Sequence, residues 1–350
     1  MSNPYSALPA ERFWRKAVAN VPPFALDPGP VAPFRIARTD RIATGGSCFA
    51  QRVAGALREA GFLYHVTEAA PEGTAPADMQ RRQFGTYSAR YGNLYHTRQL
   101  VQLFDRAFDR FTPALSAWRR EDGRFVDPFR PTIEPDGFAD ADAVVAARQA
   151  HLAAVRALFT DLDVFVFTLG LTEGWVDRTD GAALPLAPGI AGGAFDPERY
   201  AFVNATTAQV AADLRGFLER LREVNPAARV ILTVSPVPLI ATYEERHVLV
   251  SNGYSKAVLR AAAGEVCEGR ADTVYFPSYD IITGGVNAAR YYADDLRSVT
   301  DAGVAHVMRA FLKAFAPDHA RQPVAHAVDA EFEGVAGVIC DEERIERSVA

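Results

Sequence analysis

Three continuous apolar runs punctuate the chain: DVFVFTLGL at 163–171, RVILTVSPV at 229–237 and DTVYFPSYDII at 272–282. Runs of this kind suit strands buried on both faces of a parallel sheet. A shorter β-prone segment, RIATGG at 41–46, ends in glycine, and FLYHVTE at 62–68 reads as a second strand. Between the runs the apolar spacing changes to the helical period. CFAQRVAGALREAG, 48–61, carries Phe49, Val53, Ala54 and Leu57 on one stripe and is closed by Gly61. Further helical patterns lie near 96–110 and over 138–158, 206–223, 254–268 and 300–315. Strand and helix alternating in this way predict an α/β fold, a doubly wound parallel sheet with helices on both faces.

The remaining segments are less regular. Residues 1–35, rich in Pro and Ala, read as an extended N-terminal arm over the domain, with a short helix near Glu11 to Val18. Residues 174–204 are rich in Gly and Pro and lack apolar periodicity, so a long loop is expected there, serving as a lid, a binding loop or an insertion. It follows Gly170 at the carboxyl end of a predicted strand, where open parallel sheets bind ligands. The C-terminal tail, 318–350, is polar and alanine-rich and is expected outside the core, leaving one domain over 36–317.

Composition narrows the function. A chain of 350 residues, 49% hydrophobic and 23% charged, builds a sizeable core without disulfides or metals. With a net charge of −6 and arginines dispersed along the chain, no nucleic-acid partner is expected. Three cysteines at wide spacing, Cys48, Cys267 and Cys340, read as reduced thiols in a reducing compartment. The first residues hold no apolar stretch of signal-peptide length and no later stretch is long enough to span a bilayer, so a cytoplasmic location and no membrane partner are expected. Oligomeric state is left open.

The chemistry concentrates at Gly45 to Ala50, where a buried strand turns into a helix. Unpaired N–H groups and the helix dipole favour an anion at such a turn, so a nucleophile there has its conjugate base stabilised and an oxyanion can be received nearby. The candidates are Ser47 and Cys48, and a thiol in this setting gains thiolate character. The structural alternative is a helix-capping serine followed by a small buried thiol.

Ser-Cys-Phe-Ala after Gly46 resembles the motif of the GSCFA family, within the wider SGNH/GDSL hydrolase group. YGNLY (91–95), VFTLGLTEGW (166–175), VSPVP (234–238), NGYSK (252–256), VYFPSYDII (274–282) and YYADDL (291–296) are also similar to segments of that family. The resemblance implies a three-layer α/β/α sandwich with a flavodoxin-like parallel sheet, and a nucleophile after the first strand. Aligning the first-block glycine on Gly46 makes Cys48 the nucleophile, and a shift of one residue makes it Ser47. The second block falls on Gly92, with Asn93 beside it, whose backbone would complete an oxyanion hole. The third falls on Gly170, Leu171, Thr172 and Glu173, so Thr172 stands where the family pattern has an oxyanion-hole asparagine, and Glu173 could place a carboxylate nearby.

The last block departs most. Asp295 takes the place of the orienting aspartate, but Ser298 stands where the catalytic histidine belongs, and a serine hydroxyl is too weakly basic to replace it. His247, in the loop after the strand RVILTVSPV (229–237), is the leading substitute base, ahead of His96 and His306; His65, His151, His319 and His326 have no site context. A cysteine nucleophile eases the loss, because some thiolate exists without a strong base. No metal-ligand spacing or phosphate loop is present, and no cofactor is expected. Two functions remain in view. One is an ester hydrolase or acyltransferase acting on an acylated carbohydrate or small ester, with Trp175, Tyr200 and Phe202 available to stack on a sugar. The other is a non-catalytic glycan- or ligand-binding descendant of the same fold.

Overall fold

The computed structural model describes residues 3–318 and 338–349. In chain order the first half holds β1 (Ile42–Gly46), α1 (Cys48–Glu59), α2 (Pro76–Arg81), α3 (Thr97–Ala107), β2 (Trp118–Arg119), β3 (Phe125–Val126) and α4 (Ala141–Asp161). Then come β4 (Val164–Leu169), β5 (Glu173–Asp177), β6 (Ala183–Leu184), β7 (Tyr200–Asn204) and α5 (Thr207–Val224). The chain continues through β8 (Arg229–Val234), α6 (Val248–Cys267), β9 (Thr273–Tyr275), α7 (Ser278–Thr283), α8 (Asp301–Phe315) and α9 (Glu343–Arg347).

The central sheet has the order β1-β4-β8-β9, all pairs parallel. β4 is buried at every position, and its alternation shows why both faces need cover. Phe165 and Phe167 point into a core with Phe104 of α3, Phe159 of α4 and Phe217 of α5. Val164 and Val166 point into the opposite core, with Phe49 of α1 and Phe311 and Phe315 of α8. Helices on both faces of one parallel sheet make the three-layer α/β/α arrangement. The arm lies along α8: Ile36 donates to the Phe315 carbonyl at 2.9 Å, and Lys313 pairs with Asp27 at 2.5 Å. It carries a 3-10 turn, Ala10–Arg12, and a π-helical turn, Arg15–Ala19, where one short helix was expected.

Four elements differ from the sequence expectation. The segment 62–68 makes only a single bridge, Tyr64 to Ile42, because Thr67 and Glu68 turn away to bond Ser88 and Arg90. The run 272–282 is strand only to Tyr275: Pro277 has no N–H for the ladder, and α7 starts after it. Residues 174–204 are not one long loop; β6-β5-β7 form an antiparallel sheet in which Trp175 pairs with Phe202, over a small core holding Trp118 and Tyr200. Within the tail, Asp341 and Glu342 are buried against the domain, whereas 319–337 lie outside the described residues.

Candidate active site

The carboxyl ends of β1, β4 and β8 converge at one edge, the place where parallel sheets present ligand sites. Ser47 N–H donates to the Thr168 carbonyl at 3.1 Å and Ser235 N–H to the Leu169 carbonyl at 2.8 Å, tying three strand ends together. Gly46 makes the turn possible. Its φ is 127°, and a Cβ there would lie 2.1 Å from the Thr168 carbonyl oxygen, so no other residue fits. Gly170 is needed for close approach: a Cβ would meet the Tyr95 carbonyl oxygen at 2.9 Å and the Ser47 Cβ at 3.1 Å.

Ser47 precedes α1 in extended conformation without capping it through its side chain, and its buried Oγ has no partner among the described residues. Cys48 is the first helical residue and is buried. Both border a cavity of about 10 Å³ with Tyr95, Gly170, Ser235 and Glu342, room for one water molecule.

Four residues not singled out from the sequence complete the site. Lys256 of α6 is buried and donates from Nζ to the Gly170 carbonyl at 2.6 Å. Burial lowers its ammonium to about 8, although the nearby Glu342 and Cys48 act to raise it. Arg297 donates to the Pro238 carbonyl at 3.2 Å, to the Cys340 sulfur at 3.3 Å and to Glu342 Oε2 at 3.3 Å. Glu342 is pushed up to about 7 by burial, against the pull of Arg297 and Lys256. The Cys48 and Cys340 side chains act on each other: Cys340, with burial, raises Cys48 well above the ordinary thiol range, and Cys48, helped by Arg297, lowers Cys340 despite burial.

Of the residues expected from sequence, the structure gathers Ser47, Cys48 and Gly170 around the cavity. Gly92 adopts a left-handed φ of 73° beside Arg130. Asn93 donates to the Ile339 carbonyl at 2.9 Å and to Asp341 Oδ2 at 3.0 Å, so its amide holds the C-terminal segment. The Thr172 hydroxyl is directed to Asn204 Oδ1 at 2.7 Å and its N–H to Ser255 Oγ at 2.9 Å, a scaffold role in place of oxyanion donation. Glu173 accepts from Thr242 Oγ1 at 2.7 Å and from Tyr243 N–H at 3.1 Å, anchoring the loop ahead of α6.

His247 is exposed and caps α6, its Nδ1 accepting from Leu249 N–H at 3.1 Å; it does not border the cavity. Asp295 accepts from Ser298 Oγ at 2.6 Å and from the N–H groups of Arg297 and Ser298, forming the turn that presents Arg297. Burial acts to raise the Asp295 carboxyl, but these bonds outweigh it and hold it low. His96 is buried and lowered to about 4 by that burial. His306 is bound between Tyr291 and the Leu26 carbonyl, both at 2.6 Å. His319 and His326 lie outside the described residues. Tyr200 is an anchor, buried and accepting from Trp118 Nε1 at 3.3 Å, whereas Trp175 and Phe202 cluster with exposed Tyr243.

Lys256 left a signal in the sequence. It shares a helical face with Leu259, Ala263 and Val266, so a charge falls on a core stripe. Arg297 and Glu342 had none, because their places depend on a turn and on a distant segment.

A parallel α/β sandwich with a cysteine at the first strand-to-helix turn, and buried cations near it, is the class that fold and site define. Over residues 41–311 the sequence matches the profile of the GSCFA family, and the chain belongs to that family. No curated protein matches the chain. Among the described residues no helix is long and apolar enough to cross a membrane.

Proposed function

We propose that the chain is an acyl-transfer enzyme of the SGNH/GDSL kind, an ester hydrolase or acyltransferase, working through an acyl intermediate on Cys48. The observation that carries the reading is a thiol on the first turn of α1 that shares a cavity with Gly170, whose carbonyl takes the buried Lys256 ammonium at 2.6 Å, at the carboxyl edge of the sheet. With neutral Lys256 as base, the Cys48 proton passes to Nζ while Sγ attacks the ester carbonyl carbon. The oxyanion is received by the backbone N–H of Cys48 at the start of α1. Collapse of the adduct breaks the ester C–O bond, and Lys256 returns the proton to the departing alcohol. Water or an acceptor hydroxyl then attacks the thioester. An acylated carbohydrate suits the aromatic cluster of Trp175, Phe202 and Tyr243 beside Glu173.

Hydrolysis of p-nitrophenyl acetate by wild type, Cys48→Ala, Ser47→Ala and Lys256→Met tests this. Turnover lost with Cys48 and lowered with Lys256 supports it; turnover retained by Cys48→Ala, or lost only with Ser47, overturns the thiol mechanism.

A second reading, a non-catalytic glycan- or ligand-binding protein, is favoured by the engagement of the Thr172 hydroxyl with Asn204 and of the Ser298 hydroxyl with Asp295. A wild type without esterase activity that binds a glycan on an array would support it.

A further inference from the structure

Cys48 and Cys340 lie nearly three hundred residues apart, yet the fold brings them to one place: Glu342 borders the same cavity as Cys48, and Ile339 is bonded to the helix that Cys48 begins. The approach is built from both sides. Gln51 of α1 pairs with Ile339 twice, donating to its carbonyl at 2.8 Å and accepting its N–H at 2.9 Å. On the other side of Cys340, Asp341 accepts from Thr132 Oγ1 at 2.7 Å and donates its N–H to the Tyr95 hydroxyl at 3.1 Å. With both neighbours of Cys340 held, its side chain is fixed against the start of α1. Cys340 is also the partly exposed member, whereas Cys48 is buried.

We propose that Cys48 and Cys340 are a redox pair: hydrogen peroxide oxidises them to an intramolecular disulfide that locks the C-terminal segment over the site. The Cys340 thiolate, polarised by Arg297, attacks the peroxide. An S–O bond forms, the O–O bond breaks, and the leaving hydroxide takes up a proton to become water. The Cys48 sulfur then attacks the Cys340 sulfenic acid; the S–S bond forms, the S–O bond breaks, and the Cys48 proton leaves with the hydroxide as a second water. Two thiols give up two electrons and the peroxide gains them. Cys267 lies outside the pair and burial pushes its thiol up to about 12, so it serves as an internal control.

Tying up Cys48 in the disulfide also stops acyl transfer, a consequence that rests on the acyl-transfer reading; the disulfide does not. The test treats the full chain with equimolar hydrogen peroxide, blocks remaining thiols with N-ethylmaleimide, and maps peptides by mass spectrometry without reduction. The expected result is one Cys48–Cys340 linked peptide, a fall in free thiols from three to one, and full reversal by dithiothreitol. Links between molecules, sulfinate on Cys340 beside free Cys48, or Cys267 reacting as fast would each overturn it. Should the link form and reverse in a chain without esterase activity, the redox pair stands and the acyl-transfer reading falls.

Discussion

Lys256 Nζ sits 2.6 Å from the Gly170 carbonyl oxygen, which places a desolvated ammonium directly beneath the turn that carries Cys48. Its lowering to about 8 means that a substantial neutral fraction exists near neutral pH, as a general base requires. Lys256→Met is expected to lower kcat/KM for p-nitrophenyl acetate by about 10²- to 10³-fold while leaving the fold intact. The wild-type pH–rate profile should rise with pH through an inflection near 8, since the base must be deprotonated, and the variant should lack that rise. A variant with the wild-type profile would remove Lys256 from the proton path.

His247 should matter little to such turnover. Its imidazole caps α6 and is exposed, so His247→Ala is expected to cost about 1 kcal/mol of stability through the lost cap. Chemical denaturation beside the esterase assay separates the two effects, and loss of turnover with full stability would restore His247 as the base.

The layered fold was legible because β4 and β8 are long enough, and apolar enough, to announce burial on both faces. The turn at Gly46 was legible because glycine closes a short β-prone segment just ahead of the helical stripe Phe49, Val53, Ala54 and Leu57. What the sequence concealed was assembly across distance. Asp295 and Ser298 read as a damaged catalytic pair, yet they build the turn that aims Arg297. The tail read as surplus because it is polar and alanine-rich, and Asp341 and Glu342 become buried only where Gln51, Asn93 and Thr132 hold the segment around them. The aromatic stretch 174–204 hid an antiparallel sheet, since its strands are short and Gly and Pro interrupt their alternation.

Gly46→Ala tests the turn. The added methyl would overlap the Thr168 carbonyl oxygen at 2.1 Å, in a φ that alanine rarely adopts. A loss of more than about 4 kcal/mol, or no folded protein, is expected. A variant as stable as wild type by denaturant titration would show that the strand end has a different path.

Away from the site, Asp127 joins two buried arginines: it accepts from Arg130 Nε at 3.0 Å and from Arg148 Nη2 at 2.8 Å. Burial alone would raise its carboxyl, but Arg148 and Arg130 outweigh this and hold it far below the carboxylate range. Asp127→Asn leaves Arg148 without its counter-charge and Arg130 with Glu68 alone, 3.3 Å away, and is expected to cost about 3–5 kcal/mol. Denaturant melts of the two proteins decide it, and a cost below about 1 kcal/mol would mean that the arginines find other partners.

The seating of the C-terminal segment should depend on pH through Glu342. Seated, its carboxyl is raised to about 7 by burial; released into water it returns to the ordinary value of 4.5. Between these values the seated state holds a proton that the released state does not, so seating is firmest below about pH 4.5 and weakens as pH rises through 7. The groups facing it act on the size of the effect: Arg297 and Lys256 lower Glu342, whereas Asp341 and Glu173 raise it. The full span of about 2.5 pKa units corresponds to roughly 3 kcal/mol. Amide exchange at residues 339–343, corrected for intrinsic rates, should therefore speed up from pH 5 to pH 7.5. Glu342→Gln, which cannot ionise, should flatten that dependence, and an unchanged slope in the variant would assign the pH response to another group.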